Sequence, residues 1–158
     1  MIVLVMGVSG SGKTTVGEKL AADLAWRFID ADDYHPPENV RKMASGVPLE
    51  DADRWPWLAI LNRLLRTEED AVIACSALKE AYRERLAEGV ADFRVVYLAG
   101  SYELIRGRVE SRTHRYMPVS LLKSQFETLE PPRDALVIDV SGTPAETVAE
   151  VEARLGVP

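Results

Sequence analysis

The segment Gly7-Val8-Ser9-Gly10-Ser11-Gly12-Lys13-Thr14 constrains this chain more than any other, because it satisfies the pattern G-x-x-x-x-G-K-[ST] at every fixed position. Glycines at 7, 10 and 12 let the backbone come close to an anion, and the N–H groups opening the next helix point at it. Lys13 adds a cation for the β and γ phosphates of a nucleotide, and the Thr14 hydroxyl is suited to ligate Mg²⁺. The flanking sequence is what such a loop needs. Ile2–Met6 is an unbroken apolar run with the character of a buried parallel strand, and residues Lys13 to Ala25 follow with helical spacing. The expected ATP contacts are Gly7, Val8, Ser9, Gly10, Ser11, Gly12, Lys13, Thr14 and Thr15.

At 158 residues and 47% hydrophobic composition the chain is sized for one domain, 1–158, with a proper core. Its net charge of -6 argues against the basic face of a nucleic-acid binder, so the expected partners are small molecules. The single cysteine, Cys75, leaves no internal disulfide and suits a reducing cytoplasm; it reads as a small buried apolar residue. The apolar start runs directly into the phosphate loop, unlike a signal peptide, and no stretch reaches the roughly 18 apolar residues of a membrane span. A soluble cytoplasmic protein without a membrane partner is the expectation.

Apolar runs recur at Ile2–Met6, Arg27–Ile29, Ala71–Ala74, Arg94–Leu98 and Ala135–Val140, with helical-looking segments between them. Such alternation predicts an α/β fold, a parallel five-stranded sheet in a three-layer α/β/α sandwich, with a ligand crevice at the strand C-terminal ends. Each strand therefore delivers its next residues to one rim: Gly7 onward, Asp30-Ala31-Asp32-Asp33, Cys75 to Lys79, Gly100-Ser101 and Ser141-Gly142. The stretch of about 33–70 is too long for a simple crossover and reads as a substrate-binding insertion, with helices near Pro37–Ala44 and Asp53–Arg66 and Asp53 as N-cap of the second. Tyr102 to Arg112 reads as a helix carrying Arg108 and Arg112 four apart on one face, and Val119 to Leu129 as another, ended by Pro131-Pro132.

The other charged groups discriminate among phosphate-loop proteins. An Asn-Lys-x-Asp guanine motif is missing, and Asp139-Val140-Ser141-Gly142, which matches D-x-x-G, falls on the last strand. The third strand ends at Cys75-Ser76, without the carboxylate by which motor ATPases anchor Mg²⁺. Carboxylates instead follow the second strand as Asp30-x-Asp32, the arrangement of adenylate-kinase-like small-molecule kinases with a lid. Phosphoryl transfer onto a bound acceptor is the chemistry this predicts.

Four further segments lie in register with the loop: Asp30 through Met43, Pro48 through Leu58, Cys75 through Arg83, and Gln125-Phe126-x-x-Leu129-Glu130. Together they resemble the bacterial-type gluconokinases along nearly the whole chain. The resemblance implies a shikimate-kinase-like, nucleoside-monophosphate-kinase-like fold, commonly homodimeric, that uses ATP and Mg²⁺ to phosphorylate D-gluconate at its 6-hydroxyl. A kinase of another small acceptor such as shikimate, or a nucleotide-binding regulator without turnover, are the competing readings.

By that resemblance Asp30 lies near the metal with Thr14, and Asp32 is the general base, with Lys13, Arg108 and Arg112 completing the catalytic set. Arg108 and Arg112 belong to a lid over about 108–120. The acceptor is expected to meet Asp32, His35, Arg54, Ser76, Lys79, Arg83 and Gln125. A carboxylate is well matched by an arginine fork, which favours Arg54 or Arg83. Ser76 equally suits a helix cap and Lys79 a surface ion pair. The chain departs from the family's Arg-x-Gly-His-Phe-like lid stretch, reading Arg112-Thr113-His114-Arg115-Tyr116. Trp55, Trp57 and Trp26 read as packing residues.

Overall fold

β1 (Ile2–Met6) lies at the centre of a five-stranded, all-parallel sheet of order β2-β3-β1-β4-β5. The other strands are β2 (Arg27–Asp30), β3 (Ala71–Ala74), β4 (Phe93–Ala99) and β5 (Leu136–Asp139). The computed structural model describes residues 1–110 and 119–157. Ile2 pairs in register with Ala71 of β3 on one side and Phe93 of β4 on the other. From β1 the chain goes out to the edge strand β2 and then returns through β3 to β4 and β5, so β1 and its neighbours send their connections in opposite directions, and the phosphate loop emerges in the crevice this opens at the strand C-terminal ends.

The helices are α1 (Lys13–Leu24), α2 (Pro37–Ala44), α3 (Asp51–Leu65), α4 (Glu80–Ala87), α5 (Tyr102–Glu110), α6 (Val119–Thr128) and α7 (Pro144–Leu155), with a short 3₁₀ helix at Ala31–Tyr34. Alternate residues of β1 feed two separate cores, as the two-residue period of a strand requires. Val3 and Val5 pack with Val16 and Leu20 of α1, Ile105 of α5, Leu122 of α6 and Val151 of α7. Ile2, Leu4 and Met6 pack with Trp57, Leu58, Leu61 and Leu65 of α3 and with Leu86 of α4.

Several boundaries differ from expectation for local reasons. α1 stops at Leu24 because Ala25 turns left-handed (φ 58°), and Trp26 N–H then bonds Ala21 O at 2.9 Å. β2 runs one residue further, to Asp30, and β5 is shorter, Leu136–Asp139. α3 starts at Asp51 with Glu50 as N-cap, so Asp53 is not the cap residue expected. It sits at the third helical position and its carboxylate reaches back to the Glu50 backbone N–H at 2.8 Å, half of a capping box. The same carboxylate accepts from Lys42 Nζ at 2.7 Å, tying α2 to α3. α3 also runs through Pro56, which leaves Ala52 O without its helical donor.

Candidate active site

The phosphate loop turns from β1 into α1 over conformations that need glycine. Gly10 has φ 83°, and a Cβ there would stand 2.6 Å from Val109 Cγ2 of α5; Gly12 caps α1 at φ 96°. Lys13 folds back over the loop, donating from Nζ to Val8 O at 3.1 Å. Burial pulls its ammonium below the ordinary lysine value, with the nearby charges of Asp32 and Asp30 opposing. A desolvated cation at the mouth of a helix N-terminus is set up for an anion. On the same loop Ser11 Oγ is buried and has no hydrogen-bond partner among the described residues, while Thr14 and Thr15 are exposed at the start of α1.

Beside the loop lies a cleft of about 220 Å³ between Gly10, Gly12 and Thr15 on one wall and Arg108, Val140 and Gly142 on the other. Arg108 of α5 donates Nη2 to Val140 O and, at 3.4 Å, to Gly142 O. Its guanidinium therefore reaches the β5–α7 loop on this flank. Arg112, like His114, Arg115 and most of the expected lid, lies outside the described residues.

On the other flank Asp30 ends β2 and caps the 3₁₀ helix, its Oδ1 accepting from Asp32 N–H at 3.0 Å. Partial burial raises the Asp30 carboxyl above its usual value, with the charges of Asp32 and Asp33 in the same sense. Asp32 projects from that turn with its carboxylate 84% exposed, and its Oδ1 lies 3.6 Å from His35 Nε2. Contact with the His35 imidazole holds the Asp32 carboxyl below its usual range, helped by Lys13, while neighbouring protein close enough to desolvate it in part works the other way. Asp32 is thus an ionised acceptor facing the lysine of the phosphate loop.

His35 stacks on Trp57 (ring centroids 4.2 Å, planes 14° apart), and Trp57 Nε1 donates to Ala31 O at 2.7 Å. Trp57 packs, as expected, and also fixes the imidazole. Next to this pair, Asp51 gathers a charged corner. Its carboxylate accepts from Lys79 Nζ at 3.1 Å and from the Tyr82 hydroxyl, with Arg54 Nη1 at 3.9 Å. Those partners, the tyrosine hydroxyl first, hold the Asp51 carboxyl below its usual value. Arg54 also donates to Leu49 O at 3.0 Å and lies over the Tyr82 ring. Arg83 is buried, with Nη1 on Ala77 O and Nη2 on Glu130 O, both at 2.7 Å. Ser76 sits half-buried after β3.

Gln125 of α6 is drawn to the phosphate loop: Ser9 N–H donates to its Oε1 at 2.7 Å and its Nε2 bonds Ser9 Oγ at 3.0 Å. Asn39, which sequence reasoning gave no role, is the buried residue of α2 and sits 3.2 Å from His35 Nδ1. Its signal was a polar side chain four residues after His35 in a helix whose other faces are open to water.

A sheet of this order, with its lysine at the phosphate loop and its carboxylates two strands away on the same rim, is that of a phosphate-loop kinase of small molecules. The shikimate kinase family model matches residues 9–150. The thermosensitive gluconokinase of Escherichia coli K12 is 47% identical over 146 residues, covering 87% of this chain and 78% of that protein. The crystal structure of a gluconokinase from Sinorhizobium meliloti 1021 matches with a TM-score of 0.91 at 47% identity, covering 98% of this chain and 90% of that one. Shikimate kinase from Aquifex aeolicus, at 18% identity and a TM-score of 0.66 over 99% of this chain and 96% of that one, shares the fold. The chain belongs to the gluconokinases, within the wider shikimate kinase family.

Proposed function

We propose that this protein transfers the γ-phosphoryl group of ATP to the 6-hydroxyl of D-gluconate, giving 6-phospho-D-gluconate and ADP. The observation that carries the reading is the ionised, exposed Asp32 carboxylate lying across the rim from the desolvated Lys13 ammonium. Phosphoryl transfer needs little beyond such an arrangement of acceptor, base and cation.

In the reading, the loop N–H groups and Lys13 hold the β and γ phosphates. Asp32 takes the proton of the acceptor hydroxyl as its oxygen bonds to the γ phosphorus. The bond from that phosphorus to the β–γ bridging oxygen breaks, and the charge that develops on ADP falls on Lys13 and the helix N-terminus. The Thr14 hydroxyl and the Asp30 carboxylate are hard oxygen donors suited to Mg²⁺, which when bound neutralises phosphate charge. Among the described residues no three Asp, Glu, His or Cys side chains converge into a metal cage, so phosphate oxygens and water would supply its other ligands.

For the gluconate carboxylate, Arg54 has the better claim. Its guanidinium is partly exposed beside Lys79, whereas both Nη atoms of Arg83 serve backbone carbonyls. His35, Ser76, Lys79, Arg83 and Gln125 would then frame the pocket from behind or from its edges. The 220 Å³ cleft walled by Arg108 suits the nucleoside. The segment 33–70 serves as acceptor insertion and 108–120 as lid, in a cytoplasmic, homodimeric, Mg²⁺-dependent enzyme.

A coupled ADP-release assay with ATP and Mg²⁺ tests this, comparing D-gluconate with shikimate, glucose, AMP and no acceptor. Turnover that depends on gluconate is expected. Turnover with shikimate alone would keep the Asp32 chemistry and sink the acceptor; none with any acceptor would sink the kinase reading.

A further inference from the structure

His35 is 5% exposed at its side chain, and one face and both nitrogens of its ring have defined neighbours. One face lies on Trp57, which is itself locked by its bond to Ala31 O. Nδ1 is 3.2 Å from Asn39 Nδ2, and Nε2 is 3.6 Å from Asp32 Oδ1. A ring so placed has one rotational state, and the open question of its chemistry is where its proton sits.

Asn39 answers that question. Its Nδ2 also lies 2.9 Å from the Asp53 backbone carbonyl, which can only accept, so the nitrogen end of this amide is fixed. One amide hydrogen goes to Asp53 O and the other is directed at His35 Nδ1. That ring nitrogen must therefore present its lone pair. A neutral imidazole then carries its hydrogen on Nε2, the nitrogen that faces Asp32.

We infer that His35 is a positioning residue for Asp32: the Asn39 amide sets its tautomer, the Trp57 indole sets its plane, and its Nε2–H fixes carboxylate Oδ1 so that Oδ2 faces the acceptor hydroxyl. The inference rests on the reading of Asp32 as general base. His35 keeps its own proton throughout; the proton from the acceptor moves to Asp32 as the new oxygen–phosphorus bond forms. At 3.6 Å the contact is longer than a formed hydrogen bond, and shortening of such contacts when substrate binds is ordinary in phosphoryl and acyl transfer sites. The arrangement puts a buried, rigid imidazole behind an exposed and otherwise rotatable carboxylate. It also assigns a purpose to the one deeply buried polar side chain of α2.

The test uses two substitutions at His35 that differ only in where they put an amide nitrogen. In His35→Gln the terminal amide reaches the place of Nε2; in His35→Asn it reaches only that of Nδ1. His35→Asn is expected to lower kcat about tenfold to a hundredfold, with KM for gluconate within about threefold of wild type, and His35→Gln to recover most of the loss. Independently, long-range ¹⁵N–¹H correlation on the substrate-free protein should show the Nε2–H tautomer for His35, which is one of two histidines and assignable by the loss of its signals in His35→Asn. Asn39→Asp, which replaces the donor by an acceptor, should move that hydrogen to Nδ1 and lower kcat as well.

An Nδ1–H tautomer in the wild type overturns the inference. So does His35→Asn with unchanged kcat, or equal defects in both His35 variants that fall on KM, which would mark a direct substrate contact. Near-normal turnover of Asp32→Asn would sink the base reading instead, and the tautomer measurement, made without substrate, tells the two failures apart.

Discussion

Gln125 holds Ser9 at two points, accepting its backbone N–H at 2.7 Å and bonding its hydroxyl at 3.0 Å. The two residues are 116 positions apart, so α6, the helix that follows the expected lid, is fastened to the second variable residue of the phosphate loop. A lid that moves on its helices would move this fastening with it.

Gln125→Ala removes both bonds and leaves Ser9 N–H to water. Two lost hydrogen bonds at about 1 kcal/mol each predict a melting temperature lower by roughly 5 °C or more, and the loosened phosphate loop a fall in kcat/KM for ATP. Gln125→Glu should be worse than Gln125→Ala, since it adds a negative charge at the edge of a phosphate site. Steady-state kinetics and calorimetric ATP binding on both variants check the order.

Asp32 sets an acid limit on activity. The groups around it are His35 three residues further on, Lys13 from α1, Asp30 from β2 and Cys75 from the end of β3. Its carboxyl titrates below the ordinary value of 3.8, so the competent, ionised form persists until the pH falls through that lowered value. The profile of kcat/KM for gluconate should therefore carry no inflection from Asp32 between about pH 5 and 8. Removing the His35 contact by His35→Asn takes away the largest lowering influence, and the acid limb should move upward. An unmoved limb would count against that coupling.

Asn62 is almost fully buried in α3 and donates from Nδ2 to Leu86 O at 2.9 Å and Glu88 O at 2.7 Å, closing the end of α4. Asn62→Ala strands the Leu86 carbonyl in a buried place and unties the part-buried Glu88 carbonyl, and should cost about 1 to 3 kcal/mol in urea unfolding. Turnover per folded molecule should be unchanged, because the residue lies away from the rim.

Cys75 is buried at the end of β3, and burial pushes its thiol up to about 12. It should resist iodoacetamide at neutral pH in the native protein and react promptly in denaturant. Rapid native labelling, followed by mass spectrometry, would show that β3 opens far more readily than a central strand should.

Much of this was legible in the chain itself. Gly7 to Thr14 and the apolar runs are local patterns, and a parallel sheet delivers every strand end to one rim, so Asp30 and Asp32 could be placed beside Lys13 before any coordinates. What long polar side chains meet was not legible. Nothing local says that Gln125 finds Ser9, that Lys79 finds Asp51 across 28 positions, or that Arg83 spends its donors on Ala77 and Glu130 carbonyls. The capping of α3 was misplaced for a related reason: Glu50 and Asp53 are both acids, and only their backbone angles decide which one stands outside the helix.

The central place of β1 bears on how the chain comes into being. Its partners are Ala71–Ala74 and Phe93–Ala99, so a strand that is apolar on both faces waits, once made, for some seventy further residues before a neighbour exists. At 5 to 20 residues per second that is roughly 4 to 14 s of exposure. For a chain built this way, the interval of greatest risk comes during synthesis, and a chaperone that shelters the nascent β1 would lower that risk.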